Sequence, residues 1–69
     1  MNLQEIKAAV SAGKVVHWAN EGYVVRKAAF ADGTEDYYIL CLSNDNTIGL
    51  TWRDGVTMNG KPEQFFIAP

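Results

Sequence analysis

The chain has 69 residues, 48% of them hydrophobic and 12% aromatic, which suits one folded domain with a single core and excludes a disordered chain. Eight acidic and six basic side chains leave a net charge of −2, without the basic excess of a nonspecific duplex binder or the strong negative field of a DNA mimic. A single cysteine, Cys41, excludes an internal disulfide framework and a multi-thiolate zinc site, and fits a reducing compartment.

Asn2 followed three residues later by Glu5 has the spacing of a capping box, and Met1 and Ile6 stand where a hydrophobic staple would close it. A helix is therefore predicted to start at Leu3, with Leu3, Ile6, Ala9 and Val10 on its apolar face and Gly13 ending it in a left-handed conformation. The same stretch, "MNLQEIKAAV", is amphipathic and holds no long apolar run, so a soluble cytoplasmic protein with no membrane partner is expected.

Beyond Gly13 the pattern becomes that of strands: "KVVHW" (14–18), "YVVRKAAF" (23–30), "DYYILCL" (36–42) and "TIGLTW" (47–52) are rich in β-branched and aromatic residues. They are separated by "ANEG", "ADGT" and "SNDN", whose residue types supply tight turns. Asp54-Gly55 and Asn59-Gly60 mark two further turns, and "FFI" (65–67) reads as a last strand after Pro62. The expected fold is α+β, an N-terminal helix packed on a four- to five-stranded antiparallel meander sheet, with a small SH3-like or OB-like barrel as the alternative.

If "ANEG" and "SNDN" are four-residue loops and Asp32-Gly33 is a two-residue turn, Trp18 lies opposite Tyr23, Tyr23 opposite Leu42 and Cys41 opposite Ile48. One face then carries His17, Val24, Arg26, Tyr37, Ile39, Cys41, Ile48, Leu50 and Trp52; the other carries Val16, Trp18, Tyr23, Val25, Lys27, Tyr38, Leu40, Leu42 and Gly49. One short helix covers only one of these apolar faces. The second needs the "FFI" segment, curling of the sheet, or another chain, as in a homodimer.

In that register Cys41 and His17 share a face but sit two strands apart, about 9.5 Å, too far for proton transfer between a nucleophile and its base. No catalytic residue, cofactor or metal site is expected. Asp32, Glu35 and Asp36 cluster at one hairpin tip without calcium-loop spacing, and present a negative patch to a basic partner. The aromatics Trp18, Tyr23, Tyr37, Tyr38 and Trp52 lack the basic groove that single-stranded nucleic acid requires, which disfavours direct nucleic-acid binding and favours packing or interface roles. In "WRDG" a turn at Asp54-Gly55 places Arg53 beside Trp52, two residue types enriched at interface hot spots. Trp52, Arg53, Asp54 and Asn59, with Asp32, Glu35 and Asp36 as a second set, are the expected partner-binding residues.

The strings "LQEIKAAVSAGKVVHWANEGYVV" and "NDNTIGLTWRDGVTMNGKPEQFF" resemble small proteins of unknown function encoded in proteobacterial phages, prophages and related mobile elements, most specifically at "VHWAN", "IGLT" and "NGKPEQFF". The resemblance implies a non-enzymatic phage accessory protein that occupies a host protein or ribonucleoprotein effector complex, as anti-CRISPR inhibitors do. A small nucleic-acid-binding regulator is the alternative.

Overall fold

Asn2 and Glu5 form the reciprocal cap their spacing predicts: Asn2 Oδ1 accepts the Glu5 N–H at 2.8 Å and Glu5 Oε1 accepts the Asn2 N–H at 2.9 Å, so helix α1 runs Leu3–Ser11. It ends where Gly13 (φ 84°) turns left-handed, with the Lys14 N–H on Ala9 O and the Gly13 N–H on Val10 O, the paired closure of a Schellman motif. A computed structural model describes residues 1–69 and packs this helix on a five-stranded antiparallel sheet, an α+β fold. The strands are β1 (Val16–Trp18), β2 (Asn20–Ala29), β3 (Glu35–Cys41), β4 (Thr47–Gly49) and β5 (Phe65–Ile67), in the order β4-β3-β2-β1-β5. The first four form the expected meander. The sheet stays open, with β4 and β5 at its two edges, so the barrel alternative is not the architecture adopted. No helix is long and apolar enough to cross a membrane.

All three hairpins depart from the expected loops. Ala19 (φ 65°) turns the chain at once, so β2 begins at Asn20 and "ANEG" is no four-residue loop; Asn20 Oδ1 accepts the Gly22 N–H at 2.7 Å within the irregular stretch that follows. His17 pairs with Val24 as that register required, but Trp18 lies opposite Asn20 rather than Tyr23. At the next turn Gly33 (φ 89°) follows a type I turn, with the Gly33 N–H on Phe30 O and the Phe30 N–H on Thr34 O. This makes a three-residue loop where two were expected, and it moves Tyr23 from Leu42 to Cys41. The last hairpin closes by Cys41 N–H to Asn46 O, with Asp45 (φ 59°) inside it, so Ile48 faces Ile39 instead of Cys41.

The one-residue change between β2 and β3 exchanges the faces of β3 and β4 relative to β1 and β2. Val16, Val25, Ile39 and Phe65 now share the helix side and form one core with Ile6, Ala9 and Leu50. Phe66, His17, Val24, Leu40 and Thr47 make a continuous row on the other side. The "FFI" segment does not lie over this second face; it joins the sheet as an edge strand beside β1, sending Phe65 into the core at 3% exposure and leaving Phe66 38% exposed on the open face. The helix side is completed by the chain between β4 and β5, which crosses from one edge to the other and contributes buried Leu50 and half-buried Met58.

Candidate functional site

Leu50 is the pivot from which the candidate site hangs. Its side chain is buried in the core, its N–H bonds to Tyr37 O at 3.1 Å, and its carbonyl accepts the Asn59 N–H at 2.9 Å. The chain then leaves the sheet as a short irregular hairpin: Thr51 bridges to Met58, the Trp52 N–H bonds to Thr57 O at 2.8 Å, and the Gly55 N–H returns to Trp52 O at 3.0 Å. Gly55 (φ 72°) makes the tip, in the conformation that its Asp-Gly sequence predicts.

Asp54 holds this tip together. Its Oδ1 accepts the N–H groups of Val56 and Thr57, both at 2.9 Å, and its Oδ2 accepts the Thr57 hydroxyl. The Thr57 hydroxyl, then the Thr57 and Val56 N–H groups, favour the carboxylate and lower its pKa below the ordinary value. Asn59 closes the base, its Nδ2 donating to Gly49 O at 2.8 Å. Between these two fixed points lies an open cleft of about 490 Å³, lined by Gly49, Thr51, Trp52, Arg53, Asp54 and Asn59. Trp52 is 63% exposed there, and Arg53 is exposed with no ion-pair partner.

Four of the expected partner-binding residues, Trp52, Arg53, Asp54 and Asn59, thus converge on one surface. Asp54 and Asn59 also spend hydrogen bonds on building it. Gly49 and Thr51 were read only as strand positions; an isolated glycine in a strand pattern was the available signal of a close backbone approach.

The second set sits on the β2–β3 hairpin and does not line the cleft. Asp32 Oδ1 accepts the Thr34 hydroxyl at 2.6 Å and its N–H at 3.0 Å, and these bonds, the hydroxyl first, lower the Asp32 pKa. Glu35 pairs with Lys27 at 3.3 Å, and Asp36 accepts the Tyr37 N–H at 2.9 Å. Each carboxylate therefore has its own local partner. Because Leu50 bonds beside Tyr37, the cleft leaves the sheet at the Glu35–Asp36 end of β3, so both sets lie toward the same end of the molecule.

The observed register puts Cys41 and His17 on opposite faces of the sheet, where the expected one put them on the same face. Cys41, opposite Tyr23, points to the helix side, while His17, opposite Val24, belongs to the open face. Cys41 Sγ lies 3.3 Å from the Ser43 hydroxyl, which, followed by the Ser43 N–H, lowers the thiol pKa. His17 Nδ1 donates to Tyr23 O at 2.9 Å and its ring packs 5.4 Å from that of Phe66. Three basic residues, Lys14, Arg26 and Lys27, line a separate cleft where β1 parts from β2, but Lys27 is already paired with Glu35.

Comparison with protein-family models, curated proteins and solved structures finds no match to this chain.

Proposed function

We propose that this protein is a non-enzymatic module that binds another protein stoichiometrically, through the cleft formed by Trp52, Arg53 and Asn59. The observation that carries this reading is a tryptophan left 63% exposed on a loop whose backbone is fixed by hydrogen bonds at both its tip and its base. An indole buries about 150–250 Å² when fully covered. Covering the part of Trp52 now in water is then worth about 2–4 kcal/mol at 25 cal/mol/Å². Arg53 beside it supplies a charge with no partner in its own chain, so the pair has the composition of an interface anchor.

The resemblance to phage-encoded proteins supplies the class of partner to test first, a host protein or ribonucleoprotein effector complex of the CRISPR–Cas type. The experiment is co-purification of the tagged chain with such a complex at fixed stoichiometry, repeated with Trp52→Ala. Loss of capture by a folded Trp52→Ala variant supports the reading, and undiminished capture refutes the cleft. Salt-sensitive binding of oligonucleotides by the isolated chain, abolished by changes at Lys14 and Arg26, would support the nucleic-acid regulator instead.

A further inference from the structure

The ladder at the β4 edge shows how a partner can enter the cleft. Bonds from Cys41 N–H to Asn46 O and from Leu50 N–H to Tyr37 O bracket the Ile39–Ile48 pair, so Asn46 and Ile48 turn their backbone groups toward β3, as does the Leu50 N–H, while the Leu50 carbonyl is taken by the Asn59 N–H. Thr47 and Gly49 between them turn theirs outward. β4 is an edge strand, and outside the sheet no other backbone segment of the chain bonds to Thr47 or Gly49. The one outward group that is answered is Gly49 O, which takes the Asn59 side-chain amide at 2.8 Å. That amide stands where the N–H of an additional strand would stand. The edge is short, three residues, and Asn59 caps its end, but it carries no proline, lysine or bulge that would keep a strand from pairing at Thr47. The opposite edge is less open, because the Phe65 N–H is held by Pro62 O and Pro69 follows β5.

We infer that the cleft is the end of a docking track for an extended polypeptide segment of the partner, which adds to the sheet as a strand beside β4. The segment pairs with the outward N–H and carbonyl of Thr47 and with the Gly49 N–H, while Gly49 O stays on the Asn59 amide. It then runs past Asn59 into the cleft, where an apolar side chain covers Trp52 and a neighbouring carboxylate pairs with Arg53, the unpaired charge of the site. Gly49 has no side chain to hold the incoming backbone away, and Ile48, exposed on the helix side, offers a second apolar contact. This inference rests on the proposed function, since it specifies the binding mode of the same surface.

The test uses the full chain and a displayed library of unstructured peptides. Selected binders are measured by Trp52 fluorescence, by amide hydrogen exchange and against variants of both partners. Strand addition predicts that a saturating peptide slows exchange of the Thr47 and Gly49 amides by about tenfold or more. It also predicts that N-methylation at alternate peptide residues weakens binding by about the same factor. Thr47→Pro removes an outward N–H at an edge position and is expected to weaken binding while a melt checks the fold; the N-methylated peptides give the same information without altering the protein. Peptides that lose affinity for Trp52→Ala yet leave both amides and the N-methyl series unaffected would overturn strand addition and leave the cleft as the binding surface. Absence of any selected peptide would overturn strand addition alone, and full binding by Trp52→Ala would overturn both.

Discussion

Replacing Phe65 and Phe66 by alanine, one at a time, tests how β5 joins the sheet. Phe65 is 3% exposed and belongs to the helix-side core with Ile6, Val16 and Leu50, so Phe65→Ala opens a cavity under the helix. Such truncations cost about 3–5 kcal/mol. A 69-residue domain has only about 3–10 kcal/mol of stability at the usual 0.05–0.15 kcal/mol per residue, so this variant is expected to lose from about a third to all of it. Phe66 is 38% exposed on the open face and its main partner is the His17 ring at 5.4 Å. Its removal forfeits an aromatic pair and the burial of somewhat over half the side chain, about 2–3 kcal/mol in total. At roughly 4–8 °C per kcal/mol for a domain of this size, Phe66→Ala is expected to melt about 8–24 °C below the parent. The assay is urea and thermal unfolding followed by circular dichroism, with Phe65→Leu as a milder variant that keeps most of the volume. A Phe66→Ala protein as unstable as Phe65→Ala would refute the register of β5 and with it the assignment of the two faces.

Asn2→Ala removes one half of the capping box and is expected to cost about 1 kcal/mol, seen as a melting temperature lower by about 4–8 °C. Asp54 is a carboxylate whose pKa is depressed in the fold, so the stability it contributes is present above its ordinary value of 3.8 and lost as pH falls through the lower folded value. The melting difference between the parent and Asp54→Ala should therefore be largest near neutral pH and shrink on acidification below that point. Arg53→Glu changes an exposed, unpaired side chain, so the fold should stay within about 0.5 kcal/mol of the parent while partner capture falls. Cys41→Ala is expected to lower stability modestly and to leave partner capture intact, as measured by the same melts and the same co-purification.

The helix was legible in the sequence because every signal that sets it is local: Asn2 and Glu5 for the start, Gly13 for the end. The strand segments were legible for the same reason. Their pairing was not. "ADGT" accommodates both a two-residue turn and the three-residue loop, and the alternatives differ by one residue, which is one face of the sheet. The choice is made by tertiary packing, which sets Ile39 beside Val25 under the helix, and no turn residue records it. In the candidate site, Trp52, Arg53 and Asn59 could be placed at a surface because turn residues surround them. Asp54 instead bonds forward within its own loop, a role for which Thr57 three residues later is the sequence pattern.

One segment divides its side chains between the core and the solvent. From Leu50 the chain must travel from the β4 edge to the β5 edge, and it does so with Leu50 and Met58 set against the core while Trp52 and Arg53 remain in water. An exposed tryptophan on a loose loop would lose much of its binding energy to ordering that loop. Here the ordering cost is met in folding, because Asp54 ties the tip and Asn59 ties the base to Gly49, the last residue of β4. The same bond to Gly49 makes the cleft continuous with the free edge of the sheet. A rigid anchor and an open row of backbone groups therefore share one boundary, and a partner that offers an extended strand can use both at once.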